Sequence, residues 1–172
     1  MARLRYIDDY AAELEKLGRS VFVREHRSPV LIGLGMQGNL SEDRRGDSGT
    51  SVVDVPDTGA PLVETEVLVD RVWRISKGRG GPAGPGIKVG RNSLNDVVIP
   101  EYSMSQEHCE FRFELMRLAI MDCGSTNGTM VNDKLVPEGK LVPLKDDALL
   151  VLGRFRFRYL SGRGFLKLLL ER

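Results

Sequence analysis

Cysteine is scarce in this chain, with two, Cys109 and Cys123, among 172 residues. Both fall in strand-like segments far from any C-x-x-C spacing, so neither a disulfide framework nor a metal site is expected and both read as small buried hydrophobes. An excess of charge is also missing. Against 25 basic side chains stand 24 acidic ones, a net of +1, and no global field draws the chain to nucleic acid or membrane, neither of which is expected as a partner. No apolar run approaches the length of a transmembrane helix, and the opening "MARLRYIDDY" carries acids where a signal peptide would have its apolar stretch. The expected location is cytoplasmic. What is present is a globular composition, 41% hydrophobic, in a chain long enough for one ordinary domain plus an appendage.

Residues 3–17 set Ile7, Tyr10, Leu14 and Leu17 at helical spacing, with Asp8 and Asp9 early, Lys16 late and Gly18 as a stop. A second short helix is expected from Ser20, and Pro29 to Leu34 reads as a buried strand; His26 reads as a surface residue. From Gly38 to Pro61 the chain is rich in Gly, Ser, Asp and Pro without a period, as in a linker, where only "SVVDV" suits a short extended segment. A second breaker run, "KGRGGPAGPG" at 77–86, lacks the G-K-S/T ending of a phosphate-binding loop and leads into no helix. It reads as a hairpin-type loop.

After these breakers come short β-like runs: "TEVLVDRVWRI" (65–75), "GIKVG", "DVVIP", "HCEFRFEL" (108–115), "RLAIMDC", "TMVND", "KLVPL", "ALLVLG" and "RFRFRYL" (154–160). Two are plainly two-faced, with Cys109, Phe111 and Phe113 opposite Glu110, Arg112 and Glu114, and Phe155, Phe157 and Tyr159 opposite Arg154, Arg156 and Arg158. Many short strands with turns between them predict a sandwich or barrel. The closing "GFLKLLLER" predicts a short helix with Phe165, Leu168 and Leu169 on one face.

The chemistry-bearing residues lie at strand ends, in "VGRNSLND" (89–96), "SMSQEH" (103–108) and "DCGSTNGTMVN" (122–132). Loops distant in sequence gather at one end of a sandwich. Arg91 offers a planar fork of donors for an anion, while Ser105, Gln106, Thr126 and Asn127 offer neutral donors. Such a set holds a phosphate rather than cleaving it.

Together, "GRNSLNDVVIP", "SMSQEHCEF", "MDCGSTNGTMVN" and "DDALLVLG", in that order, resemble the forkhead-associated (FHA) domain over roughly residues 63–160. The resemblance implies a mainly β fold, a two-sheet antiparallel sandwich of the FHA/SMAD type. Around it are expected an N-terminal helical and strand extension (1–37), a flexible linker (38–62) and a C-terminal helix (161–172). It implies a non-catalytic module that binds phosphothreonine peptides, works beside a serine/threonine kinase or its substrate, and needs no cofactor. By position, Arg91 and Ser105 resemble the phosphate-binding pair, Thr126 the residue contacting the phosphothreonine region, and Asn127 the holder of the peptide backbone. Gly90, His108 and Gly128 resemble structural supports of the loops.

Two positions depart from the family pattern. Gln106 stands where Arg or Lys is usual, with Glu107 adding negative charge beside it, and "VND" replaces V-N-G after the last loop. The expected site is therefore weak. Thr50 and Thr58 in the linker are candidate internal ligands once phosphorylated. The alternative is a degenerate sandwich acting as a phosphate-independent structural or assembly subunit. A triad of Ser105, His108 and Asp122 is disfavoured because no nucleophile elbow accompanies it.

Overall fold

In β11 (Phe155–Leu160) the alternation of the sequence becomes a division of surfaces: Phe155, Phe157 and Tyr159 are buried while Arg154 and Arg156 face solvent. The computed structural model describes residues 5–37, 65–78 and 81–172; "SVVDV", Thr50 and Thr58 lie outside these. Strand β11 pairs antiparallel with β1 (Val30–Met36) on one side and β10 (Ala148–Leu152) on the other. With β2 (Val72–Arg74), β7 (Thr129–Val131) and β8 (Lys134–Leu135) they form a six-stranded sheet in the order β2-β1-β11-β10-β7-β8. The facing sheet has the order β4-β3-β5-β6-β9. Its strands are β3 (Ile87–Gly90), β4 (Val97–Val98), β5 (Cys109–Glu114), β6 (Arg117–Asp122) and β9 (Val142–Pro143). The β3–β4 pair is parallel, so this sheet is mixed rather than wholly antiparallel.

The core between the sheets brings Leu31, Trp73, Leu150 and Phe157 against Val89, Phe111 and Ile120. Cys109 is part of it, its thiol pushed well above the ordinary range by burial, as suits a small hydrophobe.

A second apolar cluster lies on the other face of the six-stranded sheet. Helices α1 (Ile7–Leu17), α2 (Arg19–Glu25) and α3 (Gly162–Leu170) cover Val30, Ile32, Val72 and Leu160 there. Burial on both faces explains why β1 reads as an unbroken apolar run. Within the described residues 5–37, β1 is a member of the sandwich itself, lying between β2 and β11 in the sheet. Asp9 reaches back to the Tyr6 amide at 2.9 Å to start α1, and Ser161 accepts from Gly164 N at 3.1 Å to start α3. On α3 the buried residues are Phe165, Leu166 and Leu169, with Leu168 half-buried, a face shifted from the expected one.

Three expectations are corrected. The run 65–75 is not one strand: Thr65–Leu68 is a 3-10 helix whose Leu68 carbonyl sits where a Cβ on Gly33 would be, 2.0 Å away, and only Val72–Arg74 joins the sheet. Phe113 is 65% exposed because the β5–β6 hairpin runs on past the core. His26 is buried, in contact with Phe22 and edge-on to Tyr10, with Nε2 3.2 Å from a Glu13 carboxylate oxygen. His26 caps the C-terminus of α2 with its amide on Phe22 O at 2.9 Å, one turn beyond Phe22, and both side chains turn inward.

Candidate functional site

Strand β3 ends at Gly90, and the next loop is bonded along the 103–108 loop: Arg91 N donates to Ser105 O at 2.9 Å and Asn92 N to Gln106 O at 3.2 Å. Asn95 Nδ2 donates to the same Gln106 carbonyl at 2.6 Å. A Cβ on Gly90 would stand 2.2 Å from that oxygen, so only glycine allows the two loops this approach.

His108, wholly buried, joins the second loop to the third. Its Nδ1 faces the Ser105 amide at 3.1 Å and its Nε2 faces the Gly128 carbonyl at 3.1 Å. An amide only donates and a carbonyl only accepts, so the ring is neutral, with its proton on Nε2. Burial holds its pKa below the ordinary value, against the bond to Gly128, which raises it. Ser105 Oγ accepts from Thr126 N at 2.9 Å, and Asn127 Nδ2 donates to Ser103 O at 3.0 Å. Gly128, at φ 82°, turns its carbonyl to both His108 and Gly153 N.

The third loop is wound on Asp122. Its carboxylate accepts from the amides of Gly124 and Ser125 at 2.9 and 3.0 Å, and from the hydroxyls of Ser125 and Thr129, both at 2.6 Å. Burial pushes this carboxyl up, but those bonds outweigh it and its pKa lies below the ordinary value. The imagined triad therefore has no relay: His108 meets the amide of Ser105 rather than its hydroxyl, and Asp122 holds a turn.

The five residues expected to meet a ligand are thus brought onto three mutually bonded loops. Ser105 Oγ accepts one bond and keeps its own proton to donate, while Thr126, Asn127 and Gln106 are exposed. Arg91 is half-exposed, and its Nε has no hydrogen-bond partner among the described residues.

Residues 87–153 match the FHA domain family. The chain carries an FHA domain. Over 155 residues it is 26% identical to the glycogen accumulation regulator GarA of Mycolicibacterium smegmatis, covering 90% of this chain and 85% of that one. It is 32% identical over 78 residues to the oxoglutarate dehydrogenase inhibitor of Corynebacterium efficiens, covering 45% of this chain and 53%, about half, of that relative. The solution structure of the FHA domain of an Arabidopsis thaliana hypothetical protein superposes with a TM-score of 0.49 at 20% identity, over 78% of this chain and 86% of that one. FHA domains are regulatory binding modules without catalytic activity.

Of this FHA domain's two departures, the charged one is softened. Glu107 pairs with Lys88 Nζ at 2.9 Å, an exposed contact worth about 0–1 kcal/mol, and that bond raises the pKa of Lys88. Gln106 spends only its backbone carbonyl on the fold. After Val131 the turn is made by Asn132 and Asp133 at φ 47° and 63°, the left-handed pair that a two-residue hairpin requires.

Sequence reasoning missed Glu101 and Ser103. Ser103 Oγ contacts the Glu101 carboxylate and accepts from Arg154 N at 2.8 Å, seating the loop on the β10–β11 turn. Glu101 is buried, which raises its pKa, and the Arg91 charge acts against that rise. Acid followed two residues on by serine was the available signal.

Proposed function

We propose that this FHA domain recognises phosphothreonine in a partner protein, a serine/threonine kinase or a substrate of one, and acts as an adaptor in the cytoplasm. The observation that carries the reading is Ser105: its carbonyl holds the amide of Arg91 and its Oγ holds the amide of Thr126. That leaves a guanidinium and hydroxyl protons unspent on adjoining loops. A phosphate brings about −1.5 to −2 charges and several acceptor oxygens, the complement of such a set. Asn127, anchored by one N–H, retains amide groups for a peptide backbone. The relatives' names, a regulator and an inhibitor, fit a module that acts by binding.

Matched phosphorylated and plain threonine peptide libraries test the reading. The phosphorylated set should bind selectively, and Ser105→Ala, which removes one donor to phosphate, should weaken binding by about tenfold or more, from about 1.5–3 kcal/mol per charge-assisted bond. Equal binding of both libraries would favour the second reading, a phosphate-independent assembly subunit, which the neutral Gln106 supports. Thr50 and Thr58 extend the proposal as internal ligands, since tethering supplies an effective concentration of order millimolar. Phosphorylation at either should then reduce affinity for added peptide or change the size of the protein in sedimentation.

A further inference from the structure

Strand β5 leaves the Ser105 loop at Cys109 and, about 20 Å on, β5 and β6 turn through Leu115 and Met116 at the opposite end of the sandwich. Both turn residues have positive φ, 44° and 67°, and their side chains are 97% and 100% exposed. Asn and Gly are the ordinary occupants of such a turn, so two apolar residues there spend backbone strain on an apolar surface.

The hairpin forms one wall of an open groove of about 1250 Å³ whose other wall is helical. Phe113 and Met116 stand on the hairpin side, Val23 of α2 and Leu170 of α3 on the other, all four exposed. Small-molecule sites occupy roughly 300–1,000 Å³ and are mostly enclosed; this groove is larger and open, a shape for a polypeptide.

Its charge is one-sided. Arg19, Arg27, Arg117 and Arg163 line it, and none has a carboxylate partner among the described residues. Its two acids are already engaged, Asp146 accepting from the amide and hydroxyl of Ser161, both at 2.6 Å, and Glu171 lying 3.7 Å from Lys167. In a chain whose net charge is only +1, this is a local concentration of cations beside apolar rims.

We propose that this groove docks an acidic segment of a second protein with apolar side chains on one face, independently of the phosphothreonine site. Apolar anchors would fill the space between Met116 and Leu170 and carboxylates would meet the arginines, giving an adaptor with a receptor surface at each end.

Selection from a random peptide display library on the intact chain tests this. Selected peptides should combine apolar residues with net negative charge and weaken with added salt. Met116→Ser and Arg163→Glu should each lower their affinity by about tenfold or more, with Trp73 fluorescence unchanged as evidence of folding, and Arg91→Ala should have no effect. Enrichment of neutral or basic peptides, or of peptides indifferent to both groove substitutions, overturns the proposal. So does groove-dependent binding of phosphatidylserine vesicles, or self-association of the wild type that Met116→Ser abolishes, since the occupant would then be a membrane or a second copy.

Discussion

His108 shows what a single buried side chain imposes on the site. Its neutral ring links the Ser105 amide to the Gly128 carbonyl, and protonation would set a second N–H against an amide donor. The folded pKa is lowered while an unfolded histidine titrates near about 6.5, so below that pH the unfolded chain takes up a proton that folded His108 resists. Stability should therefore fall as pH drops from 7 towards 5. His108→Gln should flatten that part of the curve in denaturant unfolding; identical pH profiles would show that the ring does not resist protonation. Asp122, with its pKa lowered, contributes stability that is lost only at more acidic pH, below about 3.9, and the two windows separate. At position 106, Gln106→Arg would add a second cation beside Arg91. Phosphopeptide affinity should rise by about tenfold or more and fall more steeply with salt, as calorimetry at two ionic strengths would show; equal affinities would mean that this side chain does not face the phosphate.

At the scale of elements the β5–β6 hairpin is the informative case. Left-handed backbone at a residue other than glycine costs about 1–2 kcal/mol, so Leu115→Asn with Met116→Gly should raise stability by about 1–2 kcal/mol in denaturant titrations. A neutral or destabilising result would mean that the apolar pair supports the fold. The same hairpin shows where sequence reading stops. Alternation places Cys109 and Phe111 inside, but a period of two carries no information about where the facing sheet ends, and Phe113 lies beyond it. Polar, ordered blocks were easier to read. Gly90, Arg91, Ser105, His108 and Thr126 were legible because each sits in a short motif with its own chemistry. Glu101 and Ser103 offer only a short acid-x-serine turn signal, and their importance comes from Ser103 Oγ meeting Arg154 N of the β10–β11 turn, some 50 residues away, at 2.8 Å. The burial of His26 depends on Tyr10 and Glu13 of α1 packing across it, a contact that the residues around position 26 do not signal.

Over the whole molecule, the helices and the sandwich share strand β1, which faces the inter-sheet core through Leu31 and the helical cluster through Val30 and Ile32. They should unfold together. Phe165→Ala, emptying a fully buried site under α3, should cost about 3–5 kcal/mol and shift a single transition followed by Trp73, the one tryptophan. Two separate transitions would mean that the helices are an independent appendage. The sandwich holds three mutually bonded loops beside the Arg91 guanidinium, whose Nε has no hydrogen-bond partner among the described residues. Calorimetry of one phosphothreonine peptide and its plain threonine counterpart, against wild type and Arg91→Ala, tests the proposed role of that guanidinium most directly. The wild type should bind only the phosphorylated peptide, and Arg91→Ala should lose at least about tenfold in affinity with its unfolding midpoint unchanged. Equal binding of the two peptides by the wild type, or full affinity in Arg91→Ala, would contradict the account.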